Sequence, residues 1–282
     1  MQLWVKRDDL TGFGVSGNKV RKLEWLFADA RARGADTVIT CGGLQSNHAR
    51  ATAVAARRCG LDPVLLLRGD RSDPVDGNLL LDQLVGAQIH TCSAEDYASS
   101  RAELMAGIAA DLRSAGRRPY VIPEGGSNGT GAIGFIRAVE ELDALPPFDT
   151  IVCPVGSGGT LAGLVLGRPQ AHVRGYAVCD DAPTFVSKVL AIADELELEV
   201  PSAGWSVCET FRGEAYGIAS PAVWRTIADV ARTEGLLLDP TYTGKAFHGM
   251  LTEAKAGLLG ERILFWHTGG AFGLFGRGAE VP

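Results

Sequence analysis

The chain is poor in the residues and patterns that would commit it to several large functional classes. None of its six cysteines (Cys41, Cys59, Cys92, Cys153, Cys179, Cys208) belongs to a CxxC pair, and its five histidines stand at no metal-ligand spacing with them. A zinc site is therefore excluded. Cys41, Cys153 and Cys179 lie in or at the ends of apolar runs, where a reduced, buried thiol is expected. No apolar run approaches the ~20 residues of a membrane span, and no signal peptide opens the chain. The expectation is a soluble, cytoplasmic protein. Positive charge is also short, with 27 Lys and Arg against 33 Asp and Glu and a net charge of −6. No basic patch invites nucleic acid. The densest basic stretch, Arg50 to Arg68, spaces its charges among alanines and leucines and reads as the solvated face of a helix. Internal repeats and low-complexity tracts are absent.

What is abundant is glycine, at 36 of 282 residues, nearly twice the ~7% of an average protein. Many of these glycines sit where a strand should hand over to a helix, the place where backbone must approach a ligand closely. Hydrophobic residues make up 46% and charged residues 21%, a globular balance. Short apolar or β-branched runs predict strands at Thr37–Cys41, Pro63–Leu67, Gln88–Thr91, Pro119–Ile122, Thr150–Pro154, Gly175–Cys179 and Ile263–Trp266. Helical periods run between them. In the first, Val20, Leu23, Leu26, Phe27 and Ala30 form an apolar stripe, while Arg21, Lys22, Glu24 and Asp29 face away. Ala102–Leu112 and Ile133–Leu142 repeat the pattern. The alternation implies an α/β fold around mostly parallel sheets flanked by helices. The Pro-rich link Ala144-Leu-Pro-Pro-Phe and the break near Gly34 divide the chain. A smaller lobe of residues 32–142 is expected, inserted into a larger one of 1–31 and 143–282.

Four segments could carry chemistry. The first is KRDDLTG at Lys6–Gly12, running into SGNKVRKLE at Ser16–Glu24. Lys19 stands at a glycine-prepared helix start, where the macrodipole disfavours an ammonium. A neutral amine there can attack a carbonyl, although a plain surface lysine at a helix entrance fits the position equally well. Lys22 is the nearby rival and falls among exposed positions. The second, TCGGLQSNHAR at Thr40–Arg50, brings Ser46, Asn47 and His48 to a helix start after a double glycine. Free N–H groups there suit a carboxylate or phenolate, and ordinary N-capping is the alternative. The third, IVCPVGSGGTLAG at Ile151–Gly163, is a strand, a Gly-rich turn and a helix. It lacks the Lys-Ser/Thr ending of a P-loop and the last glycine of a dinucleotide fingerprint, so a single phosphate monoester is the simplest ligand. The fourth pairs DPTYTGKA (Asp239–Ala246) with HTGG (His267–Gly270), two strand-end or turn segments where α/β ligands gather. Turn chemistry alone would also explain them, and a lone His267 reads as structural.

In this order the four segments resemble the pyridoxal 5′-phosphate-dependent D-cysteine desulfhydrase and 1-aminocyclopropane-1-carboxylate (ACC) deaminase family. The resemblance runs from Leu3 to about Phe275. It implies a two-lobed, tryptophan synthase β-like fold (fold type II) and pyridoxal 5′-phosphate as cofactor. It makes Lys19 the Schiff-base lysine and gives Asn47 the cofactor's phenolic oxygen. Gly156, Ser157, Gly158, Gly159 and Thr160 hold the phosphate, and Ser46 meets substrate. Tyr216 and Tyr242 match the two active-site tyrosines. Thr243 falls where the family places its group for the pyridine nitrogen, with Thr268 beside the same ring edge. Relatives carry a further segment before Met1. Leu161 stands where a histidine is common, which bears on packing. Phe135 stands where tyrosine is frequent, which bears on the polarity of the substrate side of the small lobe.

Within the family, deaminases place glutamate after the tyrosine of D-P-x-Y and leucine after the histidine of H-x-G-G. Desulfhydrases place threonine at both, as Thr243 and Thr268 do here. The resemblance thus implies β-elimination from a small amino acid, D-cysteine going to pyruvate, sulfide and ammonia. ACC deamination, or β-replacement on another β-substituted amino acid, is the alternative. A non-catalytic cofactor-binding protein would have no need of Ser46 and both tyrosines. A homodimer with no nucleic-acid or membrane partner is expected.

Overall fold

The computed structural model describes residues 1–70 and 75–280. Its elements in chain order are β1 (Gln2–Arg7), α1 (Lys19–Ala32), β2 (Thr37–Gly43), α2 (Asn47–Arg58), β3 (Asp62–Arg68), α3 (Gly77–Leu84), β4 (Gln88–Cys92), α4 (Ala94–Ser114) and β5 (Pro119–Val121). The second half continues with α5 (Gly129–Glu140), β6 (Thr150–Val155), α6 (Gly159–Leu166), β7 (His172–Ala177), α7 (Ala182–Glu195), β8 (Trp205–Cys208), α8 (Pro221–Glu234), α9 (Thr243–Lys255) and β9 (Arg262–His267). The strands form two sheets, ordered β1-β9-β6-β7-β8 and β4-β3-β2-β5. Every pairing is parallel, with Cys41 opposite Leu66 in one sheet and Thr150 opposite Ile263 in the other. β6 is buried along its whole length, and β2 up to Gly43, as expected of central strands covered on both faces.

All seven predicted strands exist, with one shifted. β7 starts at His172 and ends at Ala177 because His172 and Arg174 alternate outward to Ser206 and Glu253. The strands that were not predicted, β1 and β8, are the two edges of the larger sheet. Edge strands stay half exposed and carry no continuous apolar run.

Two expectations about surface charge fail. Lys22 is 1% exposed, because α1 packs on α5 as well as on α2, so its second face is also covered. Arg50 is fully buried, and the stretch to Arg68 is not one helix but the end of α2 followed by β3. Phe135 differs as well. It lies in the core of the five-stranded sheet, edge-on to Trp266 at 5.6 Å, and not at a substrate surface. Leu161 is fully buried in that core. All six cysteines are free thiols. Burial pushes Cys41 up to about 11 and Cys153 up to about 12.

Candidate active site

A cavity of about 340 Å³ opens where strands of both sheets end, bounded by the ends of β2, β3, β6 and β9. Lys19 enters it from the first turn of α1. The KRDDLTG segment is what aims it. Asp8, buried, accepts from both Arg21 Nε and Nη2 at 2.8 Å and from Trp266 Nε1 at 2.8 Å, tying α1 to β9. The Thr11 hydroxyl accepts from the Gly17 N–H at 3.0 Å. Gly17 has φ +98°, and a Cβ there would fall 2.6 Å from the Thr268 carbonyl oxygen. Only glycine passes this point. Asn18 then donates from its backbone to Thr268 O at 3.0 Å and from Nδ2 to Thr160 Oγ1 at 2.9 Å. Its Oδ1 accepts from Lys19 Nζ at 2.9 Å. Burial first, and the Arg50 guanidinium second, lower the Lys19 ammonium from 10.5 to about 8. Lys19 is thus poised near neutrality as an amine.

Opposite, the turn after β2 delivers Ser46 and Asn47. Ser46 is the N-cap of α2, its Oγ accepting from Ala49 N at 3.1 Å, and it also lines the cavity. The cap and the ligand-facing role therefore coincide. Asn47 is oriented by a residue the sequence reading missed. Asn78 on α3 donates to Asn47 Oδ1 at 3.2 Å and accepts from Arg50 Nε at 3.0 Å. With Oδ1 occupied, the Asn47 amide presents donors to the cavity, which suits a phenolic oxygen. His48 is buried and held by Thr40 Oγ1 at 2.8 Å. The Thr40 hydroxyl itself donates to Ile122 O, so His48 Nε2 is the donor. Burial keeps this ring neutral.

The turn Gly156-Ser157-Gly158-Gly159-Thr160 leads from β6 into α6. Gly158 caps the helix at φ +87°, and a Cβ on Gly159 would lie 2.8 Å from Lys22 Nζ. Lys22, misplaced by periodicity, is thus pressed against the loop. Its Nζ donates to Gly125 O at 3.1 Å and Ser127 Oγ at 3.2 Å. Burial first, then Lys19, hold its ammonium well below the usual lysine range. A buried lysine with no carboxylate bonded to its Nζ among the described residues, facing a helix N-terminus and a side-chain-free turn, is a fitting cradle for phosphate, whose charge would favour its protonated form. Together with Lys19, the donor set fits a phosphorylated aldehyde such as pyridoxal phosphate.

The C-terminal segments complete the wall, with one correction. Thr243 does not line the cavity. Its hydroxyl is held by Asp239, accepting from the backbone N–H at 2.7 Å and donating to Oδ1 at 2.7 Å. The Asp239 carboxylate also accepts from the N–H groups of Thr241, Tyr242 and Thr243, which makes the DPTYT turn the cap of α9. Thr268, by contrast, lines the cavity at the end of β9. Tyr242 and Tyr216 share a hydrogen bond of 2.6 Å with their rings edge to face. Burial, then Tyr216, push the Tyr242 phenol well above its usual value, so it keeps its proton. The loop carrying Tyr216 is pinned by Lys245, whose buried Nζ donates to the carbonyls of Val178, Arg212 and Ala215. His267 is structural, as expected, bonding Leu237 O at 3.0 Å and the Gly269 N–H at 3.1 Å. Two of the predicted site residues do not line the cavity: Thr243 stands back from its wall, and Gly159 sits just behind the loop against Lys22.

Comparison with known proteins agrees. The family described as pyridoxal-phosphate dependent enzyme matches residues 1–269. A Thermotoga maritima protein, provisionally named a 1-aminocyclopropane-1-carboxylate deaminase, is 46% identical over 99% of this chain and 92% of its own length. An Arabidopsis thaliana protein, named a bifunctional, mitochondrial D-cysteine desulfhydrase/1-aminocyclopropane-1-carboxylate deaminase, is 42% identical over 98% of this chain and 74% of its own. The crystal structure of an ACC deaminase homologue superposes with a TM-score of 0.90 at 40% identity, covering 99% of this chain and 87% of that one.

Proposed function

Since the chain belongs to the pyridoxal-phosphate-dependent enzyme family, with the tryptophan synthase β-like fold, we propose that this lyase is a D-cysteine desulfhydrase releasing pyruvate, sulfide and ammonia. The cofactor, when bound, supplies the electron sink that makes a substrate Cα–H bond acidic. Everything else falls to the chain. Lys19 Nζ would hold the cofactor and, as a neutral amine, would take the substrate α-proton. Lys22 and the N–H groups of Gly156–Thr160 hold the phosphate. Asn47 Nδ2 donates to the phenolic oxygen. Ser46 Oγ and the start of α2 receive the substrate carboxylate, and the protonated Tyr216–Tyr242 pair closes the opposite side.

The observation that carries the substrate class is a single hydroxyl, that of Thr268, on the cavity wall where Thr243 stands back. A carboxylate facing a pyridine nitrogen would hold a proton there by a charge-assisted bond, about twice as strong as a neutral one. Here position 243 is a threonine turned to Asp239, and that carboxylate already takes four donors. The neutral Thr268 hydroxyl gives a shallower sink. Elimination from cysteine tolerates it, because sulfide leaves with the electron pair. ACC has neither an α-proton nor a leaving group, and its ring opening needs the deeper sink. Incubation with both enantiomers of cysteine, 3-chloro-D-alanine and ACC should give pyruvate from D-cysteine and 3-chloro-D-alanine and little or no 2-oxobutyrate from ACC. ACC deamination without pyruvate from D-cysteine would reverse the assignment.

Strand membership supports a large lobe of residues 1–31 with 143–282 and a small lobe of 32–142, with α5 reaching from the latter into the larger core. A homodimer is supported by exposed Phe13 and Phe275, whose rings lie 5.4 Å and 6.3 Å from that of Phe272 and form an apolar patch with it. Among the described residues no helix is long and apolar enough to cross a membrane. The proposed compartment is the cytoplasm.

A further inference from the structure

Three cations stand around the mouth of the cavity, Arg68, Arg101 and Lys188, with two carboxylates, Glu124 and Asp180. Two cations are matched, Arg101 to Glu124 at 3.8 Å and Lys188 to Asp180 at 3.2 Å. Arg68 is the surplus. Among the described residues no carboxylate lies within 4.0 Å of its guanidinium and no acceptor takes its N–H groups. It is held by stacking instead, 5.5 Å from the ring centroid of Tyr97 on α4 and 5.6 Å from that of Tyr216 across the cleft. Aromatic faces fix the plane of a guanidinium without using its donors, which stay free for a planar anion. A Cβ on Gly43 would lie 3.7 Å from Arg68 Nη2, so the group hangs over the turn that carries Ser46.

We propose that Arg68 anchors a second anion subsite, one that takes a negatively charged substituent on the β-carbon of the amino acid. The inference rests on the lyase reading for its substrate class, but not for the existence of the subsite. The start of α2 and Ser46 serve the α-carboxylate. Arg68 sits beyond them, toward Tyr216, where this subsite would receive the β-substituent. With D-serine O-sulfate, Lys19 takes the α-proton, the Cβ–O bond breaks, and sulfate leaves with the electron pair. Water then releases pyruvate and ammonia. No oxidant or reductant is needed.

Binding to the holoenzyme, followed by the cofactor's absorbance, separates charge from shape with D-aspartate and its neutral isostere D-asparagine. D-aspartate should bind about tenfold more tightly. Arg68→Met should erase that preference with cofactor content and Tm unchanged, and Arg68→Lys should keep part of it. The kcat/KM ratio of D-serine O-sulfate to 3-chloro-D-alanine should fall in parallel. An aspartate-to-asparagine ratio near one in the wild type, or one that survives Arg68→Met, overturns the subsite. Absence of pyruvate from every substrate, with the binding preference intact, would instead indict the lyase reading and leave the subsite standing.

Discussion

Lys19 and Lys22 sit three positions apart on one helix and meet opposite needs. Lys19 must lose its proton to react, and burial with Arg50 nearby lowers it to about 8. Between that value and the ordinary 10.5, the unfolded chain binds more protons at this site than the folded one. Apoprotein stability therefore gains from this group as pH rises through the window. Capture of pyridoxal phosphate by apoprotein should accelerate with pH with a midpoint near 8, measured as the initial rate of absorbance change. A midpoint near 10 would show that the site does not perturb Lys19. Borohydride should fix the pyridoxyl group on the peptide at Lys19. Lys22 needs an anion to justify its burial. Lys22→Met should weaken pyridoxal phosphate at least tenfold while leaving unphosphorylated pyridoxal little changed, as fluorescence titration of the two aldehydes can show. Equal losses for both would make Lys22 a packing residue. The SGNK context pointed to Lys19, whereas no local signal marked Lys22. Its burial depends on α5, more than a hundred residues away in sequence, covering the second face of α1.

Among elements, the start of α2 carries two duties in one side chain. Ser46→Ala should cost about 1 kcal/mol as a lost N-cap and should also lower kcat/KM by tenfold or more with the cofactor retained. Ser46→Asp separates the duties. It restores the cap, so the urea midpoint should recover, but it sets a charge against the substrate carboxylate, so activity should not. Recovery of both would leave Ser46 as a cap alone. The loop of residues 209–216 depends on Lys245 in a similar way. Lys245→Met removes the donors that tie the loop's Arg212 and Ala215 carbonyls to Val178 O and should raise KM more than it lowers kcat, because Tyr216 loses its fixed position. The DPTYT turn shows where motif matching stops. Tyr242 of this turn lines the cavity, but the direction of the Thr243 hydroxyl was settled by the Asp239 carboxylate four residues earlier, to which it donates at 2.7 Å.

The whole molecule places its cavity where two parallel sheets present their strand ends to each other, so no single segment forms a site. Ser46 and Asn47 come from one sheet, Lys19, Thr160, Thr268 and Tyr242 from around the other. The proposed dimer should be disrupted by Phe13→Glu with Phe275→Glu, halving the mass seen by light scattering. An unchanged mass would place any interface elsewhere. The central strands, the glycine turns and the segments that bring Lys19, Ser46 and the Gly156–Thr160 turn to one cavity were legible in the sequence. Continuous burial, positive φ and helix starts all leave their mark on neighbouring residues. The edge strands, the burial of Lys22 and Arg50, the orientation of Asn47 by Asn78 and the stacking of Arg68 between Tyr97 and Tyr216 were not. Each of these depends on what a distant element brings into contact, and only the packed tertiary structure decides that.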